Sequence, residues 1–467
     1  MSDDNQVSDA ALANQELLLL AALSIWELSI VVIAATLYIK GLQPLDAFLT
    51  STPGMIFLCA IMTFFTAGGF VIHYYLLSRR PRSLRFALIV GMNLVTLVLL
   101  TITGEFIVRA GSLPSPYGDV FANRPLNPKS WDKVKLRYRQ HIEKADGDLS
   151  YIVSDSQLGW TVGPERQSAN GLYFSSPLGT RTARPGTSVT KSEGTMEIAL
   201  VGDSFTFAEE VRFEESWAFH LGQMLGDKFQ LLNYGVPSYG VDQVYLRYKK
   251  DVAGRKPRVV LFSIISHDLT RTMWVYPFLA VPQWDWPFSK PRFIVRDGEL
   301  TVINVPTIAP SEIFAYSSPS DLPSLHHQPG YKRNDWETSA LHLSYLFRLF
   351  STMYPEWKAD YSTDTLSINR SILQSFIRSA TESGSIPILI YFPSKADFSN
   401  PSTLPIGKQV LQEAGLPFLD PTPCLLEVNP TDRFLVDHYS PAGNAAVAKC
   451  LYQSLHTVLE QASTPSS

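Results

Sequence analysis

Cysteine is scarce in this chain of 467 residues, and its three copies exclude an extensive disulfide framework. Charged residues are also few, at 18% of the chain against roughly 25% in ordinary soluble proteins. Lysine plus arginine number 39 and aspartate plus glutamate 43, so bulk charge gives no support for nucleic-acid binding. A hydrophobic fraction of 45% excludes a disordered or collagen-like chain, and the length is ample for a sizeable core.

The hydrophobic residues of the first quarter are concentrated in three long runs: Leu17–Ile39, Met55–Leu77 and Phe86–Ile107. A helix of about 20 predominantly apolar residues is long enough to span a bilayer, so all three are predicted membrane spans. The first run is not typical of a cleavable signal peptide, because acidic residues precede it, its apolar core is too long, and two further runs follow.

The orientation of the predicted spans in the membrane follows from the loop before the third run. This loop carries Arg79, Arg80, Arg82 and Arg85. Short arginine-rich loops stay in the cytoplasm. The sequence therefore predicts an integral membrane protein with a cytoplasmic N-terminus and everything after about Gly111 across the membrane. In a Gram-negative cell these are the inner membrane and the periplasm.

Beyond the third run the pattern becomes that of an α/β protein with a parallel sheet covered by helices on both faces. The segments between the predicted strands have the apolar spacing of helices, as in the series Val241, Val244, Tyr245, Tyr248 and Val252. Ligands of such sheets bind at the carboxyl ends of the strands. The predicted strands are Ile198–Val201, Leu231–Tyr234, Val259–Ile265, Ile386–Phe392 and Phe418–Asp420. The predicted segments are a cytoplasmic tail (1–16), three transmembrane helices (17–110), a juxtamembrane, strand-rich lead-in (111–195), the α/β domain (196–460) with an insert (272–365), and a tail (461–467).

The sharpest chemical signal follows the first predicted strand and reads Gly-Asp-Ser-Phe-Thr-Phe over residues 202–207. Ser204 would stand at the carboxyl end of a central strand, where Gly202 allows a tight turn. The N-terminus of the helix that follows would favour developing negative charge. These features indicate a nucleophile.

The second signal lies before the last predicted helix, whose start is marked by Ser440 and Pro441. A nucleophilic serine needs a base, and the base needs an orienting carboxylate. His438 and the adjacent Asp437 would supply both, with Asp432 as the alternative carboxylate.

Together these motifs resemble the SGNH/GDSL hydrolase family, over about residues 197–460 without the insert. The first family block is the Gly-Asp-Ser of residues 202–204, and the second is the Asn-Tyr-Gly-Val-Pro-Ser-Tyr-Gly of residues 233–240, followed by Asp242 and Gln243. The third is the Ser-His-Asp of residues 266–268, and the last is Asp437-His438 ahead of the Ser-Pro-Ala-Gly-Asn of residues 440–444. The lead-in around Leu158-Gly159-Trp160 and Gly179-Thr180-Arg181 is similar to the segment before the domain in many bacterial envelope members.

The resemblance implies a three-layer, flavodoxin-like hydrolase domain in which Ser204, His438 and Asp437 are catalytic. It also implies an oxyanion hole formed by the Ser204 and Ser238 amides with His267. Two of these positions depart from the family pattern, since Ser238 replaces a glycine and His267 an asparagine. A neutral histidine still donates one hydrogen bond. The resemblance further implies substrate-binding positions at Asp203, Tyr239 and Gln243.

The long insert holds five of the nine tryptophans, which suggests either sugar-stacking rings or a small packed subdomain. His326 and His327 have no neighbouring carboxylate or cysteine spacing that would support a metal site, so neither a metal nor another cofactor is predicted. Cys424 and Cys450 are the candidate pair for one disulfide, whereas Cys59 falls within a predicted span.

The function expected from these features is a membrane-anchored, extracytoplasmic esterase acting on acyl esters, most simply O-acetyl groups, of a cell-envelope polysaccharide. Its partners would be an acylated glycan and the lipid bilayer, with no nucleic acid. Two alternatives stay open. One is an O-acyltransferase that uses the same serine with a membrane acyl-donor partner. The other is a catalytically silent subunit for glycan binding or polysaccharide assembly.

Overall fold

The computed structural model of this chain describes residues 82–144, 147–190, 194–281, 284–352, 363–400 and 402–463. Its strands are β1 (Leu113–Ser115), β2 (Gly118–Phe121), β3 (Arg124–Pro125), β4 (Ile152–Asp155), β5 (Gly159–Val162), β6 (Phe174–Ser175), β7 (Arg181–Thr182), β8 (Met196–Val201), β9 (Phe229–Asn233), β10 (Val259–Ile264), β11 (Arg292–Arg296), β12 (Glu299–Ile303), β13 (Ile386–Tyr391) and β14 (Phe418–Leu419).

The α-helices connect these strands and flank them. They are α1 (Arg82–Gly111), α2 (Trp131–Lys144), α3 (Ser204–Phe207), α4 (Trp217–Leu225), α5 (Val241–Arg247), α6 (Ser266–Arg271), α7 (Pro277–Ala280), α8 (Pro310–Ile313), α9 (Tyr345–Thr352), α10 (Thr363–Glu382), α11 (Lys395–Ser399), α12 (Ile406–Glu413), α13 (Thr422–Glu427) and α14 (Pro441–Ser463). A π-helical turn, Tyr248–Val252, extends α5.

The chain divides into two compact units. The first contains Met1–Lys129 and Glu337–Tyr354, and the second contains Ser130–Trp336 and Pro355–Ser467. The insert predicted at 272–365 therefore contributes to both units. The other predicted boundaries, at residues 111, 196 and 461, stay predictions.

The second unit is built on a five-stranded, all-parallel sheet in the order β14-β13-β10-β8-β9. In chain order this is the flavodoxin-like arrangement 2-1-3-4-5, whose order reverses between β8 and β10. The five predicted strands of the α/β domain are confirmed, with each end within two residues of its prediction. The loops that follow the carboxyl ends of β8 and β10 border the crevice at this reversal.

Alternating side chains of β8 bury on opposite faces of the sheet, as expected for a strand covered on both sides. Ala199 and Val201 join the core formed with α5 and α10. Ile198 and Leu200 join the core formed with α4 and α14. The predicted three-layer α/β architecture is thereby confirmed for this unit.

The membrane part of the fold prediction is corrected by the structure. Among the helices in the described ranges, we find none that is both long enough and apolar enough to cross a bilayer. The predicted spans 17–39 and 55–77 lie outside the described residues, and α1 covers the third. The prediction of three spans, and the integral-membrane localisation that depended on it, is corrected by this finding.

The C-terminal end of α1 binds protein groups within the first unit. The Glu105 carboxylate accepts hydrogen bonds from the Ser344 hydroxyl (2.8 Å) and from the amides of Tyr345 (3.0 Å) and Leu346 (2.9 Å). It thereby caps the first turn of α9, whose amides lack partners within the helix. Burial opposes ionisation, but these hydrogen bonds, together with one from Arg109, lower the pKa of Glu105 to about 2.

Candidate active site

The nucleophile candidate Ser204 lies at the point where β8 turns into α3. Asp203 caps this short helix, and its carboxylate accepts the Phe205 amide at 2.9 Å. Gly202 is required at the turn, because a Cβ there would lie 1.9 Å from the Thr206 hydroxyl oxygen. The Gly-Asp-Ser sequence therefore has a local physical reason at each position, and it presents Ser204 at the carboxyl edge of the sheet.

His438 reaches this serine from the loop between α13 and α14. Its Nε2 lies 2.8 Å from Ser204 Oγ, within hydrogen-bond distance. The loop is closed by a bridge between Phe434 and Tyr439 and by the Leu435 amide, which donates to the His438 carbonyl at 2.8 Å. The Tyr439 hydroxyl anchors it by donating to the Pro393 carbonyl at 2.7 Å. The predicted pair of serine and histidine is therefore brought together.

The carboxylate that contacts His438 Nδ1 in the structure is Glu210, whereas the sequence predicted Asp437. His438 Nδ1 lies 3.0 Å from Glu210 Oε1. The Asp437 side chain is exposed, whereas its backbone amide donates to the same glutamate at 3.2 Å. The alternative, Asp432, is exposed and pairs with the neighbouring Thr431 hydroxyl at 3.1 Å. The side chains of Asp437 and His438 point in different directions. Their adjacency in sequence therefore does not bring the Asp437 carboxylate into contact with the imidazole.

Glu210 is held in its ionised form by the histidine loop. The Val436 amide donates to Oε2 at 2.9 Å, in addition to the Asp437 amide. Burial alone would raise the pKa of Glu210, but the His438 hydrogen bond, the His438 charge and the backbone amides of Asp437 and His438 lower it overall. An ionised carboxylate here fixes the Nδ1–H tautomer, which leaves Nε2 free to accept the Ser204 proton.

Sequence reasoning missed Glu210 because the search for a carboxylate was confined to the neighbourhood of the histidine. A signal was present six residues after Ser204, where Glu209 and Glu210 follow the predicted turn at the sheet edge. Glu209 Oε2 lies 3.6 Å from His438 Nε2, so both carboxylates of this pair lie near the imidazole.

The oxyanion candidates are Ser204, Ser238 and His267. Ser238 adopts φ = 66°, the left-handed region that glycine usually occupies. The serine thus takes the backbone conformation of the glycine it replaces. Within the described ranges, we find no hydrogen bond from the Ser204 or Ser238 amide to another protein group. Both amides are free to bind a substrate oxygen.

His267 is exposed at the start of α6, directly after β10. The Arg271 charge, with desolvation as the second cause, lowers the pKa of His267 to about 3. The imidazole is therefore neutral at physiological pH. A neutral imidazole donates one hydrogen bond, which keeps the predicted oxyanion role as a proposal.

Arg271 also neutralises two buried carboxylates beneath the site. Its Nη1 lies 3.0 Å from Asp268 Oδ1 and 3.6 Å from Asp203 Oδ2. Burial raises the pKa of both acids despite the arginine. The neighbouring Asp203 charge raises the pKa of Asp268 further. Because Asp203 is fully buried and caps α3, the structure corrects its predicted role in substrate binding.

Tyr239 and Gln243, the other two predicted binding residues, are also fully buried. The Tyr239 hydroxyl donates to the Trp160 carbonyl at 2.6 Å, and the Gln243 amide donates to the Leu158 carbonyl at 2.8 Å. Both side chains therefore attach the lead-in around β5 to the sheet domain. Their predicted role in binding is corrected to a structural one.

Three tryptophans of the insert pack against one another within the second unit. Trp274 and Trp286 are buried, and Trp284 packs edge-on against both. His326 lines an open cavity of about 400 Å³ with Tyr331. Within the described ranges, no group of three or more histidine, cysteine, aspartate or glutamate residues is placed to hold a metal ion.

No protein-family profile matches this chain, and no curated protein does. Solved structures do match. One is a lipolytic protein of the G-D-S-L family from Desulfitobacterium hafniense DCB-2, at 14% identity and a TM-score of 0.29, covering 56% of this chain and 99% of that one. Another is an acetylxylan esterase from Geobacillus stearothermophilus, at 14% identity and a TM-score of 0.31, covering 57% and 96%. A third is the lipase/acylhydrolase from Enterococcus faecalis, at 14% identity and a TM-score of 0.29, covering 56% and 97%.

The chain resembles the SGNH/GDSL hydrolases. The resemblance rests on the four motif blocks, the 2-1-3-4-5 sheet, and the hydrogen-bonded chain from Ser204 through His438 to Glu210. The order of these contacts, from a serine through a histidine to a carboxylate, is that of a Ser-His-Asp/Glu triad.

Proposed function

We propose that this protein is an SGNH-type serine esterase that hydrolyses acyl esters, most simply O-acetyl esters, of a polysaccharide. The observation that supports it is the pair of hydrogen bonds at His438, 2.8 Å from Nε2 to Ser204 and 3.0 Å from Nδ1 to Glu210. Ser204 and Glu210, which belong to one segment, converge with His438, 234 residues after the serine, at the spacing that nucleophilic catalysis needs. The polysaccharide is proposed from the family resemblance of the motif blocks.

The proposed reaction has two steps. Ser204 Oγ attacks the ester carbonyl carbon while His438 Nε2 takes the serine proton, and Glu210 stabilises the imidazolium that forms. The Nε2 proton then passes to the leaving alcohol oxygen as the carbon–oxygen bond breaks, which leaves an acyl-serine. Water attacks this acyl group, and His438 takes a proton from the water and returns it to Ser204.

The oxyanion of each tetrahedral intermediate would be stabilised by the Ser204 and Ser238 amides, with neutral His267 as a third donor. Removing one donor of this kind typically lowers turnover by about 10²–10³. The left-handed Ser238 backbone supports this assignment, since it adopts the conformation of the usual glycine.

The test is hydrolysis of p-nitrophenyl acetate by the full chain, with Ser204→Ala and His438→Ala beside the wild type. We expect each variant to lose at least about 10³-fold in kcat, because the serine and histidine act as one unit. Ser367→Ala is the matched control, since Ser367 is exposed on α10. Equal rates in wild type and both variants, with circular dichroism unchanged, would refute the proposal.

A serine-reactive fluorophosphonate and an O-acetylated oligosaccharide refine the result. Mass spectrometry should place the phosphonate on Ser204 in the wild type and on no residue in Ser204→Ala. Release of acetate from the oligosaccharide, with no acetylated acceptor formed, would support hydrolysis. Transfer of the acetyl group to an added sugar would instead support the acyltransferase alternative.

A further inference from the structure

The loop that carries Glu210 has an unusual backbone. Ala208 and Glu210 adopt φ values of 60° and 71°, both in the left-handed region that side chains with a Cβ rarely occupy. Each such residue is disfavoured relative to a right-handed conformation, because its Cβ comes too close to the following carbonyl oxygen. Backbones of this kind persist only where the surroundings hold them, and they concentrate at functional sites.

Arg181, the first residue of β7 in the lead-in, holds this loop from one side. Its guanidinium donates hydrogen bonds to the backbone carbonyls of Phe207, Ala208 and Val211. The side chain is 4% exposed, and its charge lies 4.7 Å from the centre of the Phe207 ring. Burial lowers the pKa of Arg181 to about 10, which leaves it charged at neutral pH. A buried cation thus binds three backbone carbonyls of one loop.

Tyr173, the residue before β6, holds the same loop through Glu210 itself. The Glu210 amide donates to the Tyr173 hydroxyl at 2.9 Å. The Tyr173 ring packs edge-on against Phe207, with centroids 4.9 Å apart, and lies under the Arg181 guanidinium at 5.1 Å. The two residues of the lead-in hairpin therefore contact each other and the loop as one cluster.

Glu210 is consequently fixed from two sides. The lead-in holds its backbone, and the His438 loop holds its carboxylate through the Val436 and Asp437 amides. A displacement of the glutamate by about 1 Å would misplace the imidazole, and such misplacements cost up to about 10²-fold in rate.

We propose that Arg181 and Tyr173 are positioning residues that hold Glu210 against His438, so that the lead-in before the sheet domain completes the catalytic site. The inference rests on the proposed esterase function. It assigns a role in catalysis to a hairpin that lies outside the four motif blocks.

The test compares Tyr173→Phe and Arg181→Lys with wild type in p-nitrophenyl acetate hydrolysis by the full chain. Tyr173→Phe removes the acceptor of the Glu210 amide and keeps the ring, and we expect kcat to fall about tenfold with KM little changed. Arg181→Lys cannot bind three carbonyls in a fork and should lose more. The matched control is Tyr276→Phe, which removes a buried tyrosine hydroxyl bound to the Pro323 carbonyl at 2.7 Å.

A double-mutant cycle separates positioning from general damage. In a Glu210→Ala background, Tyr173→Phe should have no further effect on kcat, because its effect acts through Glu210. The same fold-loss in both backgrounds, or full kcat in Tyr173→Phe and Arg181→Lys, would overturn the inference.

A spectroscopic measurement keeps the inference testable if the esterase proposal fails. The proton shared by His438 Nδ1 and Glu210 should give a low-field NMR resonance in the wild type that is absent in Glu210→Ala. We expect this resonance to broaden or shift in Tyr173→Phe and to stay unchanged in Tyr276→Phe. An unchanged resonance in Tyr173→Phe would overturn the inference whether or not the protein hydrolyses esters.

Discussion

Glu210 shows how a single residue outside the expected place can complete a site. It lies six residues after Ser204, on the same side of the sheet edge, and reaches His438 Nδ1 at 3.0 Å. Asp437 is adjacent to the histidine in sequence, but its side chain faces solvent. Contact at this site is decided by the direction of each side chain in its loop.

The residue-scale prediction is a contrast between two carboxylates. Glu210→Gln should lower kcat by about 10³–10⁴, because the amide can favour the wrong histidine tautomer and cannot stabilise the imidazolium. Asp437→Asn should change kcat by less than about twofold, because its side chain is exposed and substitutions at exposed positions usually have small effects. Steady-state hydrolysis of p-nitrophenyl acetate measures both, with circular dichroism as the folding control. The reverse order of effects would restore the carboxylate predicted from sequence.

Among the elements, α13 and α14 are joined covalently beside the histidine loop. Cys424 in α13 and Cys450 in α14 form a disulfide, which was the candidate pair in the sequence. The two helices flank the segment that carries His438, so the bond closes a 26-residue separation around it. The disulfide therefore restricts the unfolded chain in the part that contains His438.

The element-scale prediction concerns this bond. Cys424→Ala combined with Cys450→Ala should lower the free energy of unfolding by about 3.5 kcal/mol on the loop-closure estimate. Because neither cysteine touches the three groups of the site, kcat should stay within about twofold. Chemical denaturation with and without dithiothreitol measures the effect. The reductant should destabilise the wild type and leave the variant unchanged, and an equal response of both proteins would contradict the prediction.

At the scale of the whole second unit, a buried ion pair links the insert to the sheet domain. Lys290 of the insert pairs with Asp242 of α5, and both side chains are fully buried. Lys290 also donates to the Trp274 and Pro291 carbonyls, at 3.2 and 2.9 Å. Burial raises the pKa of Asp242 to about 6 despite the lysine, and burial lowers the pKa of Lys290.

The whole-molecule prediction removes one partner of this pair. Lys290→Met should lower the free energy of unfolding by about 3–5 kcal/mol, because it leaves the Asp242 charge buried without its partner. Losing the lysine raises the folded pKa of Asp242 further above its unfolded value. The stability of the variant should therefore fall as pH rises through that folded pKa and recover as pH is lowered towards 5.

Urea denaturation between pH 5 and 8 measures this dependence. Asp242→Asn combined with Lys290→Met is the control, and it should be more stable than Lys290→Met at pH 8 because no charge stays buried. A single variant whose stability does not change with pH, relative to wild type, would contradict the prediction.

Part of this protein could be predicted from local sequence. The parallel strands follow from short apolar runs, because a strand covered on both faces carries hydrophobic residues in succession. The sequence indicates Ser204 because it follows a strand, with Gly202 allowing a tight turn and a helix N-terminus after it. His438 was found because it precedes a marked helix start. The prediction of the third membrane span came from the same local reasoning, and the structure corrects it.

The sequence by itself determined the sheet and the candidate nucleophile and base, since each depends on residues within one turn or strand of one another. Only the tertiary structure decided the orienting carboxylate, the buried roles of Asp203, Tyr239 and Gln243, and the attachment of the lead-in through Arg181 and Tyr173. These depend on the direction in which side chains leave loops with left-handed residues, such as Ala208 and Glu210. That direction is set by packing between segments far apart in the chain, for which a local pattern carries no signal.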